Sequence, residues 1–200
     1  MNFFPYGELE INYLKQKDKK LGDTIDQIGL IHRELTPDPF TALTRSIVAQ
    51  QISSKAAQTV WGRVRTLVGE LTPENLGAVD HTALQQCGMS MQKAGYIKGI
   101  AHAALTGAVD FPRLDTLPDN EVINQLVALN GVGVWTAEML LLFSLGRPDI
   151  LSYNDLAIRR GLMMLHGLRE ISRSEFEKFR ILYSPHGSVA SLYLWALSVL

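Results

Sequence analysis

The feature that most constrains this chain is a short glycine loop between two apolar segments. Gly131 and Gly133 stand one residue apart, after an apolar helical pattern that ends near Leu129 and before another that starts near Val134. Glycine adopts a positive φ without steric cost and allows another backbone to approach closely. The pattern therefore predicts a hairpin of two helices over about residues 119 to 146.

The glycine loop runs directly into the second helix of this hairpin. The first amides of a helix have no partner within it, and the helix dipole places partial positive charge behind them. Such a helix start can seat a phosphate, and it binds a nucleic-acid backbone without reading its sequence. A carboxylate, Asp155, follows twenty residues after Trp135, where the next helical pattern starts. A phosphate seat followed by a carboxylate indicates chemistry on a nucleic acid.

Composition narrows the class of protein further. The 200 residues are 46% hydrophobic, which is enough for a core in one domain or in two small lobes. The formal net charge is −1 and the pI is near 6.5, so DNA contacts must be local rather than driven by an overall basic field. Cys87 is the single cysteine. It excludes an intramolecular disulfide and a four-cysteine metal site, and we expect it in the core.

The N-terminal segment and the apolar runs bear on location. Residues 1 to 14 lack the basic start, the apolar centre and the small-residue cleavage site of a signal peptide. Every apolar run is too short or too interrupted to span a bilayer. We expect a cytoplasmic protein associated with the nucleoid, or a nuclear one if the source is eukaryotic.

Helical spacing of apolar residues recurs along the chain, and no alternation lasts long enough to predict a sheet. The expected fold class is therefore all-α. Asp38 and Ser53 are predicted N-caps, and Asp119 is the predicted cap of the first hairpin helix. Residues 107 to 118 contain two prolines and predict a linker between helical blocks.

Several basic residues are candidates for phosphate contacts. The lysine-rich run over residues 15 to 20 is typical of a solvated helix face. Lys93 and Lys98 are predicted on the outer side of a long helix, where they are either solvated or in contact with a phosphate. Arg159 and Arg160 point in different directions from a helix, so at most one of them contacts a phosphate directly.

The hairpin residues, followed by Asp155, resemble a known family. They are similar to the hairpin and the catalytic aspartate of the helix-hairpin-helix DNA glycosylase superfamily, and most of all to its DNA-3-methyladenine glycosylase II branch. The hairpin set is Leu129, Gly131, Val132, Gly133, Trp135, Thr136 and Ala137. The resemblance extends over about Pro39 to Trp195. It implies a two-lobed all-α fold with the active-site cleft between the lobes, and residues 1 to 200 acting as a single glycosylase unit.

The resemblance makes Asp155 the catalytic residue. Cleavage of an N-glycosidic bond builds positive charge on the deoxyribose. A carboxylate about 4 Å away, at an effective dielectric near 20, stabilises a unit charge by about 4 kcal/mol, which is about a thousandfold in rate. Asp155 could instead orient or deprotonate the attacking water. An aspartate before an apolar helix is also a common N-cap, and both roles are compatible because the helix dipole favours a negative charge there.

The resemblance also assigns residues to DNA contact. A turn between two helices corresponds to the segment that fills the gap left by an extruded nucleotide, with Gln51 or Ile52 as the wedge. Without the resemblance, the same turn is a simple loop with Ser53 as an N-cap. The residues of this turn are Gln50, Gln51, Ile52 and Ser53. The hairpin residues assigned to the DNA backbone are Gly131, Val132, Gly133 and Thr136.

Two tryptophans and a methionine correspond to the pocket for the extruded base. These are Trp135, Trp195 and Met139, although core packing is the usual role of tryptophan and is expected for Trp61. An indole face attracts a cationic alkylated purine by about 0.5 to 2 kcal/mol. We therefore expect a broad range of alkylated purines, of the 3-methyladenine and 7-methylguanine type.

Trp135 bears on the reaction type as well. Bifunctional members of the superfamily carry a lysine nucleophile at this position, so the resemblance implies a monofunctional enzyme that uses water and leaves an abasic site. The missing lysine and the missing cysteine cluster disfavour an oxidised-base glycosylase with lyase activity.

The expected partner is double-stranded DNA that contains alkylated bases, bound by a monomer without a cofactor. A monovalent cation at the hairpin carbonyls is implied by the resemblance alone. The competing hypothesis is a non-catalytic helix-hairpin-helix module that binds damaged or abasic DNA.

Overall fold

A computed structural model describes residues 2–199 and contains only helices and loops over that range. A single antiparallel bridge joins Phe3 to Glu34, and no strand forms among the described residues. The all-α prediction is confirmed. The helices are, in chain order, α1 Glu8–Lys17, α2 Lys19–Ile28, α3 Pro39–Ala49, α4 Ser54–Val68, α5 Pro73–Ala78, α6 His81–Gln86, α7 Met91–Leu105, a 3-10 helix Phe111–Thr116, α8 Asp119–Val127, α9 Val134–Phe143, α10 Leu156–His166, α11 Arg173–Tyr183 and α12 Gly187–Ser198.

The chain divides into two compact units. The first combines the N-terminal part, up to Leu35, with the part from Gly146 onward, and the second is Thr36–Leu145. Residues 107 to 118, predicted as a linker, lie within the second unit and contain the 3-10 helix, with Phe111 and Leu114 buried. None of the helices over residues 2–199 is long and apolar enough to cross a membrane.

The first unit is built around the packing of α10 on α12. α10 buries Ile158 and Leu162 on one face, and most of α12 is buried. Gly161 makes this close packing possible, because an ideal Cβ at this position would lie 2.3 Å from the carbonyl oxygen of Leu194. The apolar spacing of α10 therefore indicates its buried face, whereas α12 is buried on nearly every side.

The core of the second unit is formed largely by α3, α7 and α9. Leu43 and Ile47 of α3, Ile97 of α7 and Leu141 of α9 are fully buried. Cys87 is buried as expected, and Trp61 is only half-buried rather than a core residue. The hairpin α8–α9 is thus anchored in this core through α9.

Local signals placed most helix starts correctly. Asp38 and Ser53 accept hydrogen bonds from Thr41 N and Ala56 N as predicted N-caps. Asp119 is not a cap, because α8 begins at Asp119 itself and Pro118 occupies the N-cap position. The lysine-rich run spans the end of α1 and the start of α2, which Asp18 separates and caps. Lys17, Lys19 and Lys20 are exposed, as predicted for a solvated face.

Candidate DNA interface and active site

The hairpin loop confirms the predicted turn and gives its two glycines different roles. Gly131 has a φ of +85°, and an ideal Cβ there would lie 2.2 Å from the ring of Tyr96. Gly133 has an ordinary φ of −95°, is exposed, and has nothing within 4 Å of an ideal Cβ. Only Gly131 is required by the turn and its packing. Gly133 is the N-cap of α9 and leaves its first amides without a side-chain cap, as expected at a phosphate seat.

A second loop, which we call the wedge turn, comprises residues 50 to 53 between α3 and α4. Gln51 has a φ of +57°, and no other non-glycine residue in the described part of the chain has a positive φ. A side chain in this left-handed region costs about 1 kcal/mol or more, and such strain persists only where the surrounding contacts impose it. Gln51 and Ile52 are both exposed. The turn therefore holds an exposed glutamine on a strained backbone.

The wedge turn contacts the hairpin loop within the second unit. The side-chain Nε2 of Gln50 donates a hydrogen bond to the carbonyl of Gly131 at 3.0 Å. These residues are 81 positions apart in the chain, so the sequence contained no local signal for the contact. Two loops that the resemblance assigned separately to DNA are thus joined directly.

The prediction that Lys93 and Lys98 are solvated or in contact with a phosphate is wrong, because both ammonium groups bind backbone carbonyls. Lys93 Nζ donates to the carbonyls of Val48, at 3.1 Å, and of Gln50, at the end of α3. Lys98 Nζ donates to the carbonyls of Gly77 and of Val79, the latter at 2.6 Å, at the end of α5. Both lysines satisfy C-terminal carbonyls that a helix leaves without partners. Burial of the Lys93 side chain lowers the pKa of its ammonium group below the ordinary value.

The hairpin carbonyls can be compared with the monovalent-cation prediction. The carbonyl of Gly131 accepts from Gln50, and that of Leu129 accepts from Val132 N at 3.1 Å. A carbonyl oxygen has two lone pairs, so these bonds leave room for a further interaction. Within residues 2–199, no group of three or more His, Cys, Asp or Glu side chains could hold a metal ion. The cation at the hairpin stays a prediction.

Asp155 lies in the first unit and is the N-cap of α10. Its Oδ1 accepts hydrogen bonds from Ala157 N at 2.9 Å and Ile158 N at 3.0 Å, and the residue is 7% exposed. The cap role predicted from the sequence is therefore confirmed. Both cap bonds end on one of the two carboxylate oxygens. The cap fixes the orientation of the carboxyl group, which is compatible with an additional catalytic role.

Aromatic and basic side chains from the segments before and after Asp155 form a cluster. The guanidinium of Arg159 lies 5.0 Å from the ring centroid of Tyr153, and that of Arg173 lies 5.5 Å from it. Arg159 is half-buried and Arg160 is exposed, in line with the expectation that adjacent helical residues point in different directions. Tyr153 is not predicted from the sequence, because a single tyrosine in a loop carries no pattern.

The three predicted pocket residues are divided between the two units. Trp135 is 40% exposed in the first turn of α9, and Met139 is buried one turn further along the same helix. Residues four apart lie on the same side of a helix, so these two side chains are neighbours in the second unit. Trp195 is half-buried in α12 of the first unit. The exposure of Trp135 differs from the core packing that is usual for tryptophan.

Comparison with known proteins identifies the family. A family model described as HhH-GPD superfamily base excision DNA repair protein matches residues 44–183, which is more than half of the chain. The chain belongs to the HhH-GPD superfamily. The match includes the wedge turn, the hairpin and Asp155, so the resemblance based on these residues is confirmed.

Individual members of the HhH-GPD superfamily are similar over most of the chain. A DNA-3-methyladenine glycosylase 1 from Schizosaccharomyces pombe is 34% identical, over 82% of this chain and 74% of the relative. The crystal structure of a DNA-3-methyladenine glycosidase from Bacillus halodurans matches with a TM-score of 0.88 at 37% identity, covering 99% of this chain and 93% of the other. A 3-methyladenine DNA glycosylase from S. pombe in complex with abasic DNA matches with a TM-score of 0.86 at 30% identity, covering 96% and 98%. The all-α HhH-GPD fold thus extends over nearly the whole chain.

Proposed function

We propose that this HhH-GPD protein is a monofunctional DNA glycosylase that extrudes alkylated purines, of the 3-methyladenine and 7-methylguanine type, and hydrolyses their N-glycosidic bond. The relatives named as DNA-3-methyladenine glycosylases support base excision repair as its function. The observation that carries the proposal is Asp155, an almost fully buried carboxylate held at a helix start in a chain of this family. The product is an abasic site.

In the proposed reaction, Asp155 stabilises the positive charge that develops on the deoxyribose. The two amides of α10 hold the carboxyl group in place before the reaction, so no reorganisation is needed when the charge appears. The same fixed carboxylate is equally suited to orient or deprotonate the attacking water. Either role requires the carboxylate charge, and an amide at this position cannot supply it.

The base pocket is proposed to contain Trp135, Met139 and Trp195. The exposed indole of Trp135 is suited to stacking on a cationic alkylated purine. Such a pocket rejects near-isosteric bases only weakly, so several alkylated purines are expected to be released. Extrusion of the base is required because the glycosidic bond is inaccessible within a duplex.

Duplex DNA is the proposed partner, contacted by both loops of the second unit. We assign the backbone contact to Gly131, Val132, Gly133 and Thr136, and the gap-filling contact to the wedge turn with Gln51 at its centre. The side chains of Val132 and Thr136 are buried, so their contribution comes from backbone amides. We propose that residues 1 to 200 act as one glycosylase unit and as a monomer, at the nucleoid or, in a eukaryote, in the nucleus.

The first test is release of free base from methylated duplex DNA by the wild type and by Asp155→Asn. Asparagine is as good an N-cap as aspartate, so α10 and the thermal unfolding midpoint are expected to be preserved. Base release is expected to fall by about a thousandfold, from the loss of about 4 kcal/mol of charge stabilisation. Asp80→Asn is the matched control, because Asp80 also caps a helix, accepting from Thr82 N at 2.7 Å, and it is expected to leave base release unchanged.

Binding to abasic duplex, measured in parallel, separates this proposal from the competing one. Loss of base release with retained binding in Asp155→Asn supports the glycosylase. If the wild type binds abasic DNA but releases no base, the protein is a non-catalytic damage-binding module and Asp155 is only a helix cap.

The monofunctional reaction predicts that borohydride traps no covalent adduct between the protein and DNA. Trp135 stands where a bifunctional enzyme needs a lysine amine, so no imine with the sugar can form at that position. The measurement is a gel of the wild-type reaction quenched with borohydride, beside a bifunctional glycosylase as a positive control. A trapped adduct from the wild type would contradict the prediction.

A further inference from the structure

Helix α7 contacts both the wedge turn and the hairpin loop through residues on one of its faces. Lys93 donates to the carbonyls of Val48 and Gln50, at the start of the wedge turn. Tyr96, three residues later, packs its ring against Gly131 of the hairpin. Residues three apart share a side of a helix, so one face of α7 supports both loops. Gln92, one turn before Tyr96, donates to the Tyr96 hydroxyl at 2.6 Å.

Gln50 connects these two contacts. Its carbonyl accepts from Lys93, and its side-chain amide donates to the Gly131 carbonyl at 3.0 Å. Gln50 is therefore held at the backbone and at the side chain, by α7 and by the hairpin respectively. The next residue is Gln51, which has the strained φ of +57°.

The contacts to Gln50 account for the conformation of Gln51. A positive φ in a glutamine is unfavourable alone and needs neighbouring contacts to maintain it. The Lys93 ammonium lies at the negative end of the α3 dipole, where a cation is stabilised. Hydrogen bonds from a charged donor are about twice as strong as neutral ones.

We propose that Lys93 is a positioning residue for damage recognition, which acts through Gln50 to hold Gln51 in the conformation that fills the gap in DNA. This inference rests on the proposed function, because it uses the wedge role of Gln51. Lys93 contacts neither substrate nor DNA in this scheme. It holds the wedge turn in place against the hairpin loop before DNA binds, so that the turn does not have to become ordered on binding.

The chain provides a matched control in Lys98. Lys93 and Lys98 lie on the same helix, are both half-buried, and both donate to the carbonyls at the end of another helix. Only Lys93 is connected to the wedge turn. Lys93→Met and Lys98→Met each remove a charge and its hydrogen bonds while keeping an unbranched side chain. A similar loss of stability is expected for both, which isolates the effect on DNA.

The experiment measures the affinity of each variant for a duplex with a tetrahydrofuran abasic analogue and for the same duplex undamaged. A 2-aminopurine opposite the analogue reports unstacking as the wedge enters. For Lys93→Met, we expect the ratio of abasic to undamaged affinity to fall roughly tenfold, with a reduced fluorescence rise at saturation. For Lys98→Met, the ratio and the fluorescence rise should equal those of the wild type.

Gln50→Met is a second variant, which removes only the side-chain link to Gly131 and leaves Lys93 in place. It is expected to reduce the ratio in the same direction, and it keeps the proposal testable if Lys93→Met fails to fold. If a folded Lys93→Met or Gln50→Met keeps the wild-type ratio and fluorescence, the positioning role is wrong while the proposed function stands. If the wild type itself shows no preference for the abasic duplex, the wedge assignment and the positioning role of Lys93 both fall, while base release from methylated duplex still decides the proposed function.

Discussion

At the scale of single residues, Gln51 combines exposure with backbone strain. Gln51 has a φ of +57°, and its neighbour Gln50 is held by Lys93 at the backbone and by Gly131 at the side chain. Strain of this kind clusters at sites where a conformation is needed for function. In this protein the strained residue is the one that the family resemblance assigns to the DNA gap. Stability and recognition are therefore expected to make opposite demands at this position.

Gln51→Gly tests this opposition. Glycine tolerates a positive φ, so the free energy of unfolding is expected to stay constant or rise by up to about 1 kcal/mol. Binding to abasic duplex is expected to weaken, because the side chain that fills the gap is lost. Denaturant unfolding and binding titrations measure the two effects.

Gln58→Gly is the control for Gln51→Gly. Gln58 is exposed within α4, where glycine should cost about 1 kcal/mol of stability. Equal destabilisation by the two substitutions would show that Gln51 carries no strain.

At the scale of elements, the hairpin α8–α9 contains two glycines with different roles. Gly131 is needed for the fold, because its φ is positive and its Cα lies against the Tyr96 ring. Gly133 has neither constraint, and its exposed position at the start of α9 leaves room for another molecule to approach the amides. The fold alone does not explain Gly133, whereas a phosphate seat does.

Gly131→Ala and Gly133→Ala should therefore separate stability from DNA binding. Gly131→Ala is expected to lower the free energy of unfolding by about 2 kcal/mol or more, through strain and overlap with Tyr96. Gly133→Ala should change stability by less than about 0.5 kcal/mol. It should weaken binding to undamaged duplex by about three- to tenfold, because a methyl group would hold the phosphate away from the amides.

Thermal unfolding and a duplex titration measure this pair. Unchanged DNA affinity in Gly133→Ala would remove the phosphate seat from the start of α9. Unchanged stability in Gly131→Ala would contradict the packing against Tyr96.

At the scale of the whole molecule, a buried polar cluster joins distant parts of the chain in the first unit. Asp18 caps α2, accepts a hydrogen bond from the Tyr183 hydroxyl at 2.6 Å, and lies 3.1 Å from Nε2 of His166. Burial and the contact with Asp18 raise the pKa of Tyr183, so its hydroxyl remains a donor. α2, α10 and α11 therefore meet at one carboxylate.

The cluster predicts a pH dependence of stability. Burial lowers the pKa of His166, an effect that outweighs the attraction of the Asp18 carboxylate. The folded state therefore favours neutral His166, and this contribution to stability is present above the unfolded pKa of about 6.5 and is lost as the pH falls through the lower folded value. When the pH is lowered from about 8 to about 5.5, the thermal unfolding midpoint of the wild type should fall by more than that of His166→Gln.

His102→Gln is the control for the pH measurement. His102 is exposed on α7 of the second unit, so its replacement should leave the pH dependence as in the wild type. Parallel pH profiles for the wild type and His166→Gln would exclude His166 as the source.

The sequence by itself determined the features that depend on local interactions. Apolar spacing gave the all-α class, and caps such as Ser53 and Asp155 marked helix starts, because a helix is defined by contacts within a few residues. The pair Gly131 and Gly133 indicated the hairpin for the same reason. The hairpin set, together with Asp155 at its spacing, was sufficient to indicate the family.

The tertiary structure decided what depends on partners far along the chain. By its sequence alone, Lys93 is a typical surface lysine. In the structure, α7 packs beside the end of α3, 45 positions away, where a backbone carbonyl accepts a hydrogen bond from the Lys93 ammonium. The hydrogen bond from Gln50 to Gly131 and the cluster around Asp18 likewise depend on contacts between distant segments. A periodic pattern specifies which face of a helix is buried, but the polar partner that a side chain meets depends on which helices pack together.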